Sequence, residues 1–439
     1  MTGGMCVEEN RIDMERGSTV YRTYVEILQR ELVSAMGCTE PIALAYCAAV
    51  ARETLGSLPE RIVVEASGNI IKNVKSVVVP NTGRRRGIET AAAIGALAGD
   101  AQAGLEVIAH VGEDAVARLG DYLRQTPIDV KPLESDHLLD MIVTVYSGKA
   151  SAKVRIAGEH TNIVLVEKDG AVLRQKAAAS DDDRADGPDY GLLNVEDIWA
   201  FACTCDLEDV RALLDRQIEY NTAIAREGLS HDYGANIGKV LLTTGDNLRT
   251  RAKAWAAAGS DARMNGSELP VVICSGSGNQ GLTASLPVIV YAEGLGVSRD
   301  ALYRALLISN LITLRAKAGI GRLSAYCGAV SAGAGAGAGI AYLHGGGLPE
   351  ISHTIVNTLA ITSGIVCDGA KSSCAAKIAT AVETGIFGYE MFRNGQQFCA
   401  GDGLVVKGVE RSLENFGRLA RNGMRETDHE IIRMMTEQS

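Results

Sequence analysis

The sequence predicts an α+β fold: a mostly α-helical domain formed by the N- and C-terminal segments, with an inserted α+β domain. Runs of β-branched residues concentrate between about residues 60 and 175, whereas helical spacing of apolar residues dominates residues 21–55 and most of the chain after 195. The predicted division is as follows: N-terminal helices of the helical domain in 1–58, the inserted domain in 59–176, a polar linker in 177–194, and the rest of the helical domain in 195–439.

The composition is typical of a globular protein and argues against nucleic-acid binding. Hydrophobic residues make up 46% of the chain and charged residues 22%, with a net charge of −10. Basic residues form no stripe beyond residues 84–86, and a nucleic-acid surface needs one. The first residues show no secretory signal, and ten cysteines in such a chain favour reduced thiols, so we expect a cytoplasmic protein.

One segment, residues 323–343, is uncharged and about as long as a bilayer requires. Its residues are mostly Gly, Ala and Ser, which gain little on transfer to hydrocarbon. Small residues at a spacing of four instead allow close approach between helices. The segment therefore predicts a core helix rather than a membrane span.

The N-terminal segment predicts two helices joined by a tight break at residues 36–41. Gly37 ends the first helix, Thr39 is the expected N-cap of the second, and Pro41 lies in its first turn. Cys38 would then lie at the positive end of a helix dipole, which favours a thiolate. A buried structural cysteine is the alternative interpretation.

The inserted domain is predicted from short β-branched runs and two helices. The expected strands cover residues 61–68, 71–80, 107–110, 128–130, 139–146, 151–156 and 160–173, and the expected helices cover 87–98 and 113–124. The first two strands would form a hairpin around Gly68 and Asn69.

A glycine-rich polar loop, SGSGNQG at residues 275–281, lies between two apolar arms. Backbone N–H groups and hydroxyls in such a loop can bind a carboxylate or a phosphate, especially where a helix begins. A tight turn between helices is the alternative. Lys371 is a second candidate for binding a substrate carboxylate, because a lysine near a helix N-terminus is electrostatically unfavourable without an anion.

Three cysteines punctuate the small-residue stretch of the C-terminal third: Cys327, Cys367 and Cys374. Three thiols on a Gly/Ala-rich scaffold predict a soft-metal or iron–sulfur site with one coordination position left open. The other cysteines are more typical of small buried hydrophobic residues.

Four motifs in order along the chain resemble the L-cysteine desulfidase family, which is related to the α-subunit region of iron–sulfur L-serine dehydratases. They are GCTEPIA at 37–43, SGSGNQG at 275–281, YCGA at 326–329 and CDGAKSSC at 367–374. The resemblance implies a [4Fe-4S] cluster with one open iron site, no pyridoxal phosphate, and conversion of L-cysteine to pyruvate, ammonia and sulfide. Cys327, Cys367 and Cys374 would be the cluster ligands, and Cys38 would be the general acid/base.

The remaining expectations concern the substrate and the assembly. The substrate is a small amino acid, and the residues expected to bind it are Thr39, Glu40, Ser275, Ser277, Asn279, Gln280 and Lys371. No nucleic-acid or membrane partner is expected. The oligomeric state stays open, with a homodimer as the assembly considered.

Three other functions explain part of the sequence. A pyridoxal-phosphate lyase would use residues 277–281 as a phosphate loop, but the helical C-terminal half does not alternate strands with helices. A non-enzymatic iron–sulfur sensor explains the three cysteines but neither the polar loop nor Cys38. An L-serine dehydratase has the same requirements as a cysteine lyase, so the sequence leaves the choice between the two substrates open.

Overall fold

The computed structural model describes residues 14–176, 187–321 and 323–437. It confirms the α+β class. The helices are α1 (Thr19–Glu31), α2 (Thr39–Leu55), α3 (Gly68–Val74), α4 (Ile88–Ala98), α5 (Glu113–Gln125), α6 (Val195–Thr204), α7 (Arg211–Ser230), α8 (Ile237–Leu242), α9 (Leu248–Met264), α10 (Gly278–Leu295), α11 (Arg299–Ala318), α12 (Gly328–Leu343), α13 (Leu348–Thr362), α14 (Cys374–Arg393), α15 (Val409–Arg418) and α16 (Arg425–Glu437). The strands are β1 (Ser34–Met36), β2 (Arg61–Ala66), β3 (Ile128–Pro132), β4 (Asp140–Ser147), β5 (Ala150–Ala157), β6 (Ile163–Lys168), β7 (Ala171–Gln175) and β8 (Pro270–Val272).

A six-stranded sheet organises the middle of the chain, with strand order β3-β2-β4-β5-β6-β7. The β2–β3 pair is parallel, and every other neighbouring pair is antiparallel. Ala152, Val154 and Ile156 on β5 are buried at alternate positions, as expected for a sheet with one face covered. Helices α2 and α4 share a hydrophobic core with this sheet.

The predicted domain boundaries stay a prediction, and the packing adds one detail to them. Helix α1 belongs to the core of the helical part of the molecule, whereas α2 buries its alanines and Ile42 against the sheet. The N-terminal segment therefore connects the two cores through the short break that contains Cys38. Residues 177–186 of the predicted linker lie outside the described residues.

Helix α12 lies at the centre of the helical core, between α10, α11, α13 and α14. Residues 329–343 of this helix are all buried. Its glycines permit close approach of neighbouring backbones: a Cβ on Gly337 would lie 2.5 Å from the Gly385 carbonyl oxygen, and one on Gly335 would lie 2.3 Å from the Ser309 carbonyl oxygen. The prediction of a core helix with close helix–helix contacts is confirmed. Among the described residues, no helix is long and apolar enough to cross a lipid bilayer.

Two sequence predictions of strands are wrong. The chain after β2 forms α3 rather than the second arm of a hairpin, and residues 107–110 form a turn after a 3₁₀ helix at Gly104–Glu106. In α3, Ile70 and Val74 are four residues apart and both fully buried, so the helical period covers the core better than an alternating one. Val107 and Ile108 are buried in the core under the sheet without joining a ladder.

Candidate functional site

A cavity of about 110 Å³ lies where the two cores meet. Its walls include the break after β1, the start of α10 and all three cysteines predicted as ligands. The predicted residues that line it are Cys38, Glu40, Ser275, Ser277, Asn279, Gln280, Cys327, Cys367 and Cys374. Thr39 and Lys371 are not among the lining residues.

Four helices begin at this cavity. Cys38 is the N-cap of α2, Ser277 that of α10 and Cys327 that of α12, and none of the three side chains caps its helix. The fourth, α14, begins at Cys374. Helix N-termini present unpaired N–H groups and the positive ends of helix dipoles, which together stabilise anions. The cavity is therefore suited to thiolates and to an anionic ligand.

A two-stranded sheet brings Cys38 and the glycine-rich loop together. Strand β1 ends two residues before Cys38, strand β8 ends shortly before Ser275, and the two pair antiparallel. The pairing continues with a hydrogen bond of 2.9 Å from the Ile273 N–H to the Val33 carbonyl. The Thr39 hydroxyl then reaches the Gly276 carbonyl at 3.1 Å, so Thr39 fixes the loop from outside the cavity.

The Cys38 thiol is 3% exposed and donates a hydrogen bond of 3.0 Å to Oε2 of Glu40. Burial raises the pKa of this thiol well above its usual value, and the Glu40 carboxylate raises it further. The structure confirms that Cys38 lies at a helix start, but as the N-cap itself, one residue before the predicted one. The direction of this shift favours the protonated thiol, because desolvation and a neighbouring carboxylate oppose the helix dipole that would favour the expected thiolate.

Glu40 is buried and has several polar neighbours in the cavity. Its Oε1 accepts a hydrogen bond of 3.1 Å from Asn73 and lies 4.0 Å from His160 Nε2, which is an electrostatic contact rather than a hydrogen bond. Burial alone would raise the pKa of Glu40, but His160 and the Cys38 thiol lower it to about 2. Glu40 is therefore a carboxylate at neutral pH.

The glycine-rich loop has an unusual backbone conformation. Ser275 has φ +51° and Gly276 has φ +72°, so two consecutive residues lie in the left-handed region, one of them with a side chain. Such strain persists only where the surrounding structure determines it, and it concentrates at ligand sites. Beyond this turn, Ser277 begins α10 with its side chain free of a capping hydrogen bond.

Backbone pairing places Cys327 and Cys367 on adjacent segments. The Cys327 N–H donates to the Ile365 carbonyl at 3.0 Å, and the Cys367 N–H donates to the Ala325 carbonyl at 2.6 Å. Burial raises the pKa of Cys327 to about 12, and the neighbouring Cys367 raises it as well. Burial also raises the pKa of Cys374. A bound cation would favour release of the protons of Cys327 and Cys374 near neutral pH.

The three thiols predicted as cluster ligands share one cavity. Within the described ranges, no three His, Cys, Asp or Glu side chains converge closely enough to hold one metal ion. A cubane attaches each cysteine to a different iron atom, so its thiolates surround a shared volume instead of meeting at a point. Cys327, Cys367 and Cys374 all line the same cavity, as such a cluster would require.

Lys371, like Thr39, is a predicted substrate-binding residue that does not line the cavity. Its ammonium forms an ion pair with Asp368 and donates to the carbonyls of Asp368 and Gly369 at 3.0 and 3.3 Å. Asp368 also pairs with Lys377. Lys371 therefore stabilises the turn between Cys367 and Cys374.

Several cavity residues were not predicted as site residues from the sequence: Asn69, Lys72, Asn73, His160 and Arg263. Asn69, Lys72 and Asn73 lie on α3, which the sequence analysis interpreted as a hairpin. His160 and Arg263 are isolated in the sequence, and only tertiary packing places them here. Buried polar atoms without a partner in the described structure include Asn69 Oδ1, His160 Nε2, Arg263 Nε and Gln280 Oε1. Because buried polar groups in proteins are nearly always satisfied, these four atoms in one cavity indicate a polar ligand.

The sequence of this chain is similar to those of several known proteins. Residues 102–433 match the family described as serine dehydratase alpha chain. The chain is 57% identical to a UPF0597 protein of Desulfitobacterium hafniense, over 97% of this chain and 99% of that protein. It is 51% identical to a UPF0597 protein of Lachnoclostridium phytofermentans, over 95% of this chain and 100% of that protein. A UPF0597 protein of Finegoldia magna is 46% identical, again over 95% of this chain and its own full length.

Proposed function

The chain belongs to the serine dehydratase alpha chain family, and on that premise we propose that it is an iron–sulfur lyase that converts L-cysteine to pyruvate, ammonia and sulfide. One observation carries the proposal. Three thiols suited to a cluster share a single cavity with a hydrogen-bonded thiol–carboxylate pair, Cys38 and Glu40, and four helices begin around it. The cluster ligands, the proton-transfer group and the helix ends that favour anions would thus all lie around one cavity.

Cys327, Cys367 and Cys374 would hold a [4Fe-4S] cluster. The donor set fits, since three partly buried thiols line the cavity. The fourth cysteine of the lining, Cys38, is hydrogen-bonded to Glu40. When bound, such a cluster would supply a Lewis acid at the iron that has no cysteine ligand.

The chain's own residues would bind the amino acid and move its protons. The start of α10, with Ser275, Ser277, Asn279 and Gln280, faces the cavity and suits the substrate carboxylate. Cys38 is proposed as the general acid/base at Sγ. To accept the α-proton, the thiol must first lose its own, and its hydrogen-bond partner Glu40 Oε2, 3.0 Å away, would hold that proton only transiently, because the resting pKa values favour the thiol. That proton then remains available at the site for the departing group.

L-serine is the second candidate substrate, because residues 102–433 match a family that is described as serine dehydratase alpha chain. A hydroxyl and a thiol differ mainly in softness, and the chain's proton-transfer residues would serve either leaving group. The ratio of kcat/KM for the two substrates measures the preference, and we expect it to favour L-cysteine.

The test is an anaerobic preparation supplied with iron and sulfide, followed by absorption spectroscopy and assays for pyruvate and sulfide. We expect a broad absorbance near ~400 nm, typical of cysteine-ligated iron–sulfur clusters, and turnover of L-cysteine. Replacement of Cys327, Cys367 or Cys374 by Ala should remove the absorbance. Cys38→Ala should keep the absorbance and lower kcat by about 10²-fold or more, the usual contribution of general acid–base catalysis.

Cys399→Ala is the matched control, because Cys399 is exposed and does not line the cavity. It should retain both colour and activity. A colourless, inactive reconstituted protein would contradict the proposal, and so would a cluster that survives loss of the three cavity cysteines.

A further inference from the structure

Arg263 is a buried cation without an acidic partner. It lies in the last turn of α9, is 2% exposed and lines the cavity. Its Nη1 donates to Asn279 Oδ1 at 3.1 Å, and neither Nε nor Nη2 has an acceptor among the described residues. Lys72 in the same cavity is different, because it forms an ion pair of 2.5 Å with Asp428. A buried charge without a counter-charge is costly, so Arg263 requires an anion that the protein itself does not provide.

The nearest candidate within the protein, Glu40, is already engaged. Its two oxygens accept from Cys38, Thr39 and Asn73 at 3.0–3.1 Å, and His160 adds a further electrostatic contact. No ion pair joins Glu40 to Arg263 in the part of the chain that the structure describes. The missing anion therefore comes from outside the chain.

The position of the guanidinium identifies the kind of anion. A Cβ on Gly278 would lie 2.2 Å from Arg263 Nε and 2.6 Å from Cζ, so this glycine lets the guanidinium lie against the first turn of α10. That turn contributes a second source of positive potential, since Ser277 leaves the helix start without a side-chain cap. Two free donors, Nε and Nη2, point along one edge of a planar group, the geometry that binds a carboxylate through both its oxygens.

We propose that Arg263 and the first turn of α10 form the receptor for the substrate's α-carboxylate, and that Arg263 makes the site selective for α-amino acids over amines and amides. The inference rests on the proposed function and deepens it. Asn279 is then a positioning residue, because it holds Nη1 and leaves the other edge of the guanidinium free. Gly278 has a related role, since any side chain there would displace the guanidinium.

The experiment compares Arg263→Gln and Arg263→Lys with Arg249→Gln in the reconstituted holoenzyme. Arg249 lies on the same helix but pairs with Glu383 and Glu390 far from the cavity lining, which makes Arg249→Gln the matched control. We expect Arg263→Gln to lower kcat/KM for L-cysteine by about a hundredfold or more, as for loss of one partner of a buried charge pair. Arg263→Lys keeps the charge but not the two-donor edge, so its loss should be smaller, and the control should retain activity.

A binding measurement separates carboxylate recognition from folding. Inhibition constants are determined for L-alanine and for L-alaninamide, which differ only at the carboxylate, and equilibrium dialysis of labelled L-alanine gives binding without turnover. Arg263→Gln should weaken the binding of L-alanine and leave the binding of L-alaninamide unchanged. Should Arg263→Gln fail to fold, Gly278→Ala, which pushes the guanidinium away, should show the same selective loss. If the binding of both ligands is weakened equally, or if neither binding constant changes, the inference is overturned.

The two proposals fail separately. If the unaltered protein turns over neither L-cysteine nor L-serine but binds L-alanine in an Arg263-dependent manner, the proposed function is wrong and the receptor stands. If L-cysteine is turned over and Arg263→Gln has full kcat/KM, the receptor is wrong and the proposed function stands.

Discussion

Asp261 is a buried carboxyl group outside the cavity lining, and it should make stability depend on pH. It lies on α9, is 1% exposed, accepts one hydrogen bond of 3.0 Å from the Gly238 N–H and has no partner at Oδ1 among the described residues. Burial raises its pKa from 3.8 to about 6, although the Gly238 and Ile237 amides oppose the rise. The folded chain thus binds this proton more tightly than the unfolded chain does.

The sign of the pH dependence follows from that difference. The stabilisation is fully present below the unfolded pKa of 3.8 and is lost as the pH rises through about 6. Asp261→Asn cannot titrate but keeps an oxygen for the Gly238 N–H. Relative to this variant, the free energy of unfolding of the parent should fall by roughly 1–3 kcal/mol between about pH 4 and pH 7.

Chemical denaturation of the metal-free protein at several pH values measures the effect. Asp246→Asn is the control, because the Asp246 side chain is 84% exposed, and its curve should run parallel to that of the parent. Parallel curves for Asp261→Asn and the parent would show that the pKa of Asp261 is the same in the folded and unfolded chains, and would contradict the prediction.

At the scale of elements, the contact between α12 and α14 determines the spacing of two thiols. Cys327 begins α12 and Cys374 begins α14, so the distance between the helix axes sets the width of the cavity. Gly337 lies against Gly385 in this contact, and a Cβ on Gly337 would reach 2.5 Å from the Gly385 carbonyl oxygen and 2.8 Å from its carbon. Backbone atoms cannot rotate away as a side chain can.

Two opposing effects decide the outcome of Gly337→Ala. Alanine in a helix interior is favoured over glycine by about 1 kcal/mol. Overpacking of a core against backbone costs about 1–3 kcal/mol or more. The steric cost should prevail, so we expect a net loss of free energy of unfolding of about 1–2 kcal/mol. Chemical denaturation gives this value, and reconstitution should yield less cluster, because the two thiols move apart.

Gly17→Ala provides the comparison, since a Cβ there meets no atom within 4 Å and the residue is exposed. Its free energy of unfolding should change by less than about 0.5 kcal/mol. A Gly337→Ala protein as stable as the parent would mean that α12 and α14 separate without cost, and that their contact does not fix the cavity.

The elements of the site were largely predictable, whereas their partners were not. The break at residues 36–41, the loop at 275–281 and the cysteine segments all have local signals, because glycines, an N-cap position and small residues act within a few neighbours in the sequence. Helix α3 was missed because β-branched Ile70, Ile71 and Val74 fit a strand as well as a helix. The fold shows that Ile70 and Val74, four residues apart, are both buried, and this spacing distinguishes a helix from a strand.

At the scale of the molecule, residues from separate elements complete the site. His160 follows β5, and Arg263 ends α9, so each reaches the cavity through packing between distant parts of the chain. A sequence pattern extends over one helix or one strand, and neither residue lies in such a pattern. The expectation of a thiolate at Cys38 rests on the helix start, which is a local feature, whereas the burial and the Glu40 contact that oppose it are tertiary.

The C-terminal helix α16 is attached to the cavity wall by a buried ion pair. Asp428 pairs with Lys72 at 2.5 Å and accepts from Asn69 Nδ2 at 2.9 Å, and the side chains of the pair are 8% and 1% exposed. Lys75 adds a hydrogen bond of 2.6 Å to the Met435 carbonyl. Because Asn69 and Lys72 line the cavity, α16 holds the wall formed by α3 in place.

Removing one member of this pair should cost more than removing both. Asp428→Leu leaves Lys72 buried without a counter-charge and should lower the free energy of unfolding by about 3–5 kcal/mol. Lys72→Met leaves the Asp428 carboxylate without its counter-charge and should lower it by a similar amount. The double variant replaces the pair by apolar groups and should recover most of that loss, so the double-mutant cycle should give a coupling of at least ~2 kcal/mol. Denaturation of the metal-free proteins supplies all four values.

The exposed pair Arg433–Glu430, on the same helix with side chains 64% and 54% exposed, is the comparison for this cycle. Solvent screening should reduce its coupling to below about 0.5 kcal/mol. Additive losses at Lys72 and Asp428 would mean that each side chain finds water or another partner once its mate is gone, and α16 would then rest on α3 through apolar packing alone. A coupled loss instead makes the ion pair the link through which the C-terminal helix fixes Asn69 and Lys72 in the cavity, even though more than 350 residues separate Lys72 from Asp428.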